Sequence, residues 1–276
     1  MKKIYEKNDI NNLSTLKKDY KNYGLVILKN FFDDDEIYEN YNKDLETIIN
    51  LAYKNKNIKK TESNKLYNLR KNNDKVLGRI LDLGSKNNKI LSGLKLKSCD
   101  KILNLVKYFL NSNLIGTMSV SDRLIMATNL KKEEKWFQGV HMDYSYVLQT
   151  KESLTTHIGL GKHKNNGGVD FFLKSHKIRN LPLYIDDNGF HKIEKGFLKN
   201  NVSKNYERLE VPHEPKSLIL FDSKLLHKTI RNTKKDVRIS QIYRYSNLAS
   251  KEAIRKNWVS VEPSKIGDNY FDRLKF

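Results

Sequence analysis

The chain has 276 residues, 38% of them hydrophobic and set in periodic runs that include 15 Tyr and 11 Phe, enough apolar material for a folded core. Its single cysteine, Cys99, excludes an internal disulfide and any cysteine-rich zinc site. The net charge of +20 would ordinarily point to nucleic acid, but it is mostly lysine, scattered along the chain among Asn and Ile, so a solvated basic surface is the expected reading and a nucleic-acid partner is not.

No apolar run approaches the roughly 18 residues of a membrane span, and "MKKIYEKNDINN" turns polar before a signal-peptide core can form. A cytoplasmic protein without a membrane span is expected. Residues 14–22 read as a short helix and "YGLVILKNFF" as a buried strand. In "DDDEIYENYNKDLETIINLAYKN", Asp33 with Glu36 three residues on resembles a helix cap, and Ile37, Tyr41, Leu45 and Ile48 recur at helical spacing. Lys54 to Asn73 lacks periodicity and is expected to be a loop, a candidate lid. "DKVLGRILDLG" and "CDKILNLVKYFL" read as helices, with Cys99 a half-buried residue at the start of the second. From Leu114 on, about eight short segments rich in β-branched and aromatic residues follow: "LIGTMSV", "RLIMATNL", "YSYVLQT", "THIGLG", "VDFFLKS", "YERLEVP", "SLILFD" and "RISQIYRYS". They predict a closed or double-sheet β architecture with the early helices on one outer face. One domain is expected over residues 1–276, with a helical flank and entry strand over about 1–112, a β core over about 113–250 and a C-terminal extension over 251–276.

The stretch "GVHMDYSY" places His141 and Asp143 on either side of Met142. A facial iron site takes two histidines and one carboxylate and leaves three positions open, so a second histidine must come from a distant segment. "LILFDSKLLHKTIRNTKKDVRIS" supplies His227 after an apolar strand, Thr229 two residues on, and Arg238 eleven residues on, where a hairpin return would bring it back towards His227. A guanidinium forks onto a carboxylate, as a dicarboxylate co-substrate would need, and a threonine hydroxyl can add to the same contact.

Four features together resemble the phytanoyl-CoA dioxygenase-like family of Fe(II)- and 2-oxoglutarate-dependent oxygenases. They are His141-x-Asp143; "NNGGVDFFLKSHK", similar to the family's Asn-Gly…Ser-His segment; "HKTIRNTKKDVR", similar to its His-x-Ser/Thr-x-x-Asn…Arg segment; and "YGLVILKNFFDDDEI", similar to its entry strand and helix. The resemblance implies a double-stranded β-helix, a jelly-roll core flanked by helices. It implies iron held by His141, Asp143 and His227, with 2-oxoglutarate chelating the metal and Arg238 and Thr229 holding its far carboxylate. Dioxygen would be the third reactant, and the products would be succinate, carbon dioxide and a hydroxylated small molecule. Because position 143 is a carboxylate and not Gly or Ala, a halide finds no vacant ligand position, which favours hydroxylation over halogenation.

Two positions depart from the family pattern. Leu173-Lys174 stands where Pro-Gly often precedes Ser-His, and Met142 stands where Gln often separates the two ligands. The resemblance makes His176, in the Ser-His segment, a candidate at the pocket border. Tyr144 and Tyr146 are candidate pocket-lining residues on a strand that would carry the ligands, flanked upstream by Trp136 and Phe137. Arg244 lies on the same strand face as Arg238, further from the iron end, and is a candidate for an anionic substrate group; Arg231 falls in a turn. His157 and His163 lack an acidic partner at ligand spacing, and His191 and His213 read as surface residues. Two other classes stay open: an oxygenase directed at nucleic acid, and a metal-binding jelly roll without oxygenase activity. The sequence carries no signal for oligomeric state or substrate identity.

Overall fold

The computed structural model describes residues 4–6, 11–55, 65–72, 74–85, 89–117, 122–130, 139–147, 150–161, 167–186, 191–234 and 237–258. The chain opens with β1 (Ile4–Glu6), α1 (Leu13–Tyr23), β2 (Leu25–Lys29) and α2 (Glu36–Asn55). Asn12 caps α1 by accepting from the Thr15 N–H at 3.2 Å. Gly24 ends it with φ 87°, a left-handed conformation suited to glycine. A Cβ there would also lie 2.5 Å from His176 Nδ1.

The cap of α2 is Asp35 and not Asp33, because Asp35 Oδ1 is the atom that accepts the Tyr38 N–H, at 3.0 Å. Its buried stripe is Tyr38, Tyr41, Leu45, Ile49 and Tyr53; Ile37, expected inside, is exposed. The segment expected to be a loop from Lys54 to Asn73 is partly helical, since α2 runs to Asn55 and α3 covers Lys65–Asn72; residues 56–64 lie outside the described part. α4 (Asp74–Ser85), α5 (Leu91–Lys97) and α6 (Asp100–Leu110) complete the helical flank, with Cys99 buried at the start of α6.

Thereafter come β3 (Ile115–Thr117), β4 (Arg123–Ala127), α7 (Tyr144–Val147), β5 (Ser153–Leu160) and β6 (Gly168–Phe172). A small hairpin, β7 (Leu183–Ile185) and β8 (His191–Ile193), precedes a distorted helical segment built from α8 (Lys195–Phe197), a π turn and α9 (Ser203–Asn205). β9 (Arg208–Pro212), β10 (Leu218–Asp222), β11 (His227–Ile230), β12 (Arg238–Asn247) and α10 (Lys251–Arg255) follow.

Among the described residues, the strands other than the β7–β8 hairpin form two sheets facing each other. The larger runs β1-β2-β10-β5-β12-β3, with β4 also on β12; the smaller runs β11-β6-β9. Alternation along β12 shows how the strands are used. Tyr243 and Tyr245 donate to Gly93 O and Lys97 O of the helical flank, both at 2.7 Å, whereas Arg238 and Arg244 turn the other way, towards the smaller sheet and the loop before α7. Tyr23, Leu25, Ile27, Val169, Phe171 and Phe221 belong to the apolar core between the sheets.

Tyrosines of α2 bolt the helical layer to the larger sheet. Tyr38 donates to Gly159 O at 2.7 Å and accepts from the Lys216 N–H at 3.0 Å; Tyr41 donates to Gln241 Oε1 at 2.7 Å. Tyr38→Phe keeps the ring and removes the hydroxyl, while the Lys216 N–H and Gly159 O stay paired with each other at 3.0 Å, so it should lower stability by about 0.5–1.5 kcal/mol. Denaturant unfolding checks this, and an unchanged midpoint would contradict it. No helix among the described residues is long and apolar enough to cross a membrane.

Candidate metal centre

His141 does not sit within a strand. It makes a single antiparallel bridge to His227, the first residue of β11, through Nα–H···O bonds of 3.0 and 2.9 Å in the two directions. The chain then turns, with the Tyr144 N–H on Ser223 O at 2.8 Å and Ser145 Oγ on Met142 O at 2.8 Å, and enters the short helix α7. The strand expected over "YSYVLQT" is therefore absent from its described start. The aromatic content that suggested a strand instead serves packing: Met142 and Tyr144 join Phe172, Ile193, Val202 and Leu226 in a third apolar cluster.

The bridge brings the two imidazoles to a centroid separation of 4.3 Å, and His227 packs its other sides on Phe221 and Phe171 at 4.9 and 5.9 Å. Each ring places Nδ1 2.9 Å from a backbone carbonyl, Gly139 O for His141 and Leu225 O for His227. A carbonyl only accepts, so both Nδ1 atoms carry the proton and both Nε2 atoms present a lone pair. Desolvation, and next the neighbouring His227, push the His141 pKa down to about 3; burial lowers that of His227 against the opposing pull of Asp143. Both rings are thus neutral near pH 7, the form that binds a metal.

Asp143 is buried, with Oδ1 3.9 Å from His227 Nε2. Thr155 Oγ1 donates to its Oδ2 at 2.6 Å, and Arg244 donates to its Oδ1 at 2.7 Å. The register of β5 against β12 pairs Arg244 with Thr155, which explains why the two reach one carboxylate. Burial favours the neutral acid, but Arg244 and then the two histidines outweigh it and hold the carboxyl well below its ordinary range. One ligand atom from each of His141, Asp143 and His227 lies within 4.8 Å of the others, a group that could hold a metal ion. Two neutral imidazoles and one carboxylate fit the donor set of a facial iron site.

The other sequence candidates fall into place around this group. Thr229 is on β11 with His227, opposite Val169 of β6. Arg238 does not return on a hairpin, because β11 and β12 belong to different sheets. It crosses between them instead, fully buried, and donates to Gly168 O at 2.6 Å, one residue from the partner of Thr229. Arg244 is nearer the ligands than expected. Tyr144 turns its hydroxyl to Glu252 at 3.0 Å, and the Tyr146 side chain lies outside the described residues, as do Trp136, Phe137 and His163. His176 packs against the end of α1, with Nε2 3.2 Å from Lys21 O, while its neighbour Ser175 accepts the Leu226 N–H at 2.8 Å and so steadies the approach to His227. Lys174 holds φ 69° where the family often carries glycine, and its ammonium lies over the Tyr23 ring. His213, expected at the surface, is buried with Nε2 3.2 Å from Leu160 O; the His191 side chain is outside the described residues. Arg231 lies past the end of β11 and donates to Asn129 O at 3.2 Å.

Three residues at the site were not anticipated. Thr155 and His157 occupy alternate positions of β5 and share its inner face, where His157 feels Arg238, His213, His227 and Asp143; burial first, then Arg238, hold its imidazole well below the ordinary pKa. The alternation of "TTHIGL", residues 155–160, was the available signal. Glu252 had none, being more than a hundred residues from its partner.

A family model for phytanoyl-CoA dioxygenase matches residues 20–240. The chain belongs to the phytanoyl-CoA dioxygenase family. By that membership it is an enzyme of the iron- and 2-oxoglutarate-dependent oxygenase type, and His141, Asp143 and His227 form the group that could hold its metal. Among solved structures, the alpha-ketoglutarate-dependent epimerase SnoN of nogalamycin biosynthesis, in complex with Fe3+ and alpha-ketoglutarate, is similar at 14% identity and a TM-score of 0.58, over 87% of this chain and 85% of that one. The carbocyclase SnoK of the same biosynthesis is similar at 12% identity and a TM-score of 0.58, over 94% and 90%. EctD from S. alaskensis with bound Fe follows at 13% and 0.56, over 86% and 77%. This family likeness in three dimensions establishes the jelly-roll core with its helical flank. No curated protein matches the chain in sequence.

Proposed function

We propose that this family member is a hydroxylase that acts on an unactivated C–H bond of a small, anionic metabolite and releases succinate and carbon dioxide from 2-oxoglutarate. The observation that carries the reading is the group of His141, Asp143 and His227, with both imidazoles pinned through Nδ1 and the carboxylate held at both oxygens. In this reading those three residues hold iron, and Arg238 with Thr229 holds the far carboxylate of 2-oxoglutarate. Bound iron and co-substrate supply oxygen activation and oxidising power; the chain supplies binding, orientation and shielding. The buried cation of Arg238 would offer a fixed fork to that carboxylate, and the apolar packing of Phe171 and Phe221 on His227 would keep water from one side of the site. Having Asp143 as a full third protein ligand supports hydroxylation over halogenation. The charge of +20 favours the approach of an anionic substrate. We also take residues 1–276 as one domain, since β2 of the N-terminal flank pairs with β10 inside the larger sheet.

The experiment is succinate release from 2-oxoglutarate by the purified protein with Fe(II), ascorbate and air, followed by a screen of anionic metabolites for stimulated release and a hydroxylated product. Succinate formation that depends on Fe(II) and oxygen is the expected result. Absence of succinate from a protein shown to hold iron would overturn the proposal.

A further inference from the structure

Asp143 is fixed through its side chain by Thr155 and Arg244, yet the backbone that carries it leaves the sheet immediately after the His141 bridge. The segment that follows is tied down from outside the barrel, by the last described helix. Glu252 of α10 accepts from Tyr144 Oη at 3.0 Å on Oε1 and from the Lys151 N–H at 2.6 Å on Oε2, so one carboxylate grips both ends of the stretch between the metal ligand and β5. Lys256, one turn along α10, holds Oε1 at 2.6 Å. Supporting bonds run alongside: Thr150 Oγ1 meets the α10 cap residue Ser250 at 2.9 Å, and Asn247 Nδ2 donates to Glu152 Oε2 at 2.7 Å. Tyr144 directly follows the metal-ligand candidate Asp143 and is almost wholly buried, so its hydroxyl has little access to water in place of Glu252.

We propose that Glu252 is a positioning residue for the metal centre, tying the segment after Asp143 to α10 and thereby setting where the carboxylate stands relative to the two imidazoles. The inference rests on the reading of His141, Asp143 and His227 as metal ligands. Partners one step removed from metal ligands typically contribute about 10–100-fold to metal affinity, and Glu252 acts through the backbone, so the lower end is expected.

The test is anaerobic titration of the full-length chain with Co(II), following the visible d–d bands, for the wild type, Glu252→Ala, Glu252→Gln and Tyr144→Phe. About a tenfold loss of Co(II) affinity is expected for Glu252→Ala, a smaller loss of about threefold for Tyr144→Phe, and substantial recovery in Glu252→Gln, which keeps an acceptor for the tyrosine. Altered band shape in Glu252→Ala would report displaced Asp143. A residue that merely supports the fold would lower the melting temperature without moving affinity or bands; Co(II) binding within twofold of wild type in Glu252→Ala would overturn the proposal. If that variant does not fold, Tyr144→Phe decides by the same twofold limit. A wild-type chain that binds no Co(II) would instead sink the metal-site reading itself.

Discussion

Replacing His227 by alanine should abolish metal-dependent behaviour while leaving a folded chain. In the proposed site the imidazole would supply one of three ligand atoms, and its bridge to His141 is made by backbone groups that alanine retains. What disappears is the Nε2 lone pair and the ring packed against Phe221 and Phe171. Metal that binds only the folded state stabilises it by about 2.7 kcal/mol at a hundred times its Kd. Wild-type protein should therefore gain several degrees in Tm on adding Fe(II) or Co(II) at that excess, and the variant should gain none. The cavity left by the ring should lower the metal-free Tm modestly, so the informative quantity is the metal-induced increment within each protein. A preserved increment in His227→Ala would remove that residue from the ligand set.

Arg238→Gln should separate metal binding from co-substrate binding. Arg238 is a fully buried cation that reaches from β12 to Gly168 O and lies beside the strand pair carrying Thr229. Truncating one partner of a buried, hydrogen-bonded charge pair costs about 2–5 kcal/mol, a loss of roughly 30-fold to 5,000-fold in affinity for 2-oxoglutarate. The metal affinity should stay close to wild type, because Asp143 takes its cation from Arg244. Arg238→Lys keeps the charge and loses the planar fork, so it should fall between. Equal 2-oxoglutarate affinity in wild type and Arg238→Gln, measured anaerobically with metal present, would refute the assignment.

The grouping of His141, Asp143 and His227 was legible because its signal is local and chemical: His141 and Asp143 stand two apart, His227 closes an apolar run, and the structure brings the three together as candidate ligands. The helical flank was legible from periodicity, as α2, α4 and α6 show. Relations that depend on strand register were not. Strand spacing alone puts Arg244 further than Arg238 from the candidate ligands, because nothing in "RISQIYRYS" reveals that position 244 pairs with Thr155. The hairpin expected for Arg238 failed because the chain moves from the smaller to the larger sheet between β11 and β12. The aromatic neighbours of Tyr144 predict a strand, whereas the chain turns after Asp143 and Tyr144 opens α7 with its hydroxyl on Glu252. Three successive aspartates offer themselves as the cap in the sequence, and only the geometry of the turn, with Asp34 at φ 58°, selects Asp35 over Asp33.

The most direct test of the central claim is an anaerobic titration of the purified chain with Fe(II) and then 2-oxoglutarate, watching the visible metal-to-ligand charge-transfer band of the chelate. The assignment of His141, Asp143, His227 and Arg238 predicts a band that saturates at one equivalent of each and is lost at the same concentrations in Arg238→Ala. Bound iron with no band at any 2-oxoglutarate concentration would contradict it and leave a metal-binding jelly roll without oxygenase chemistry.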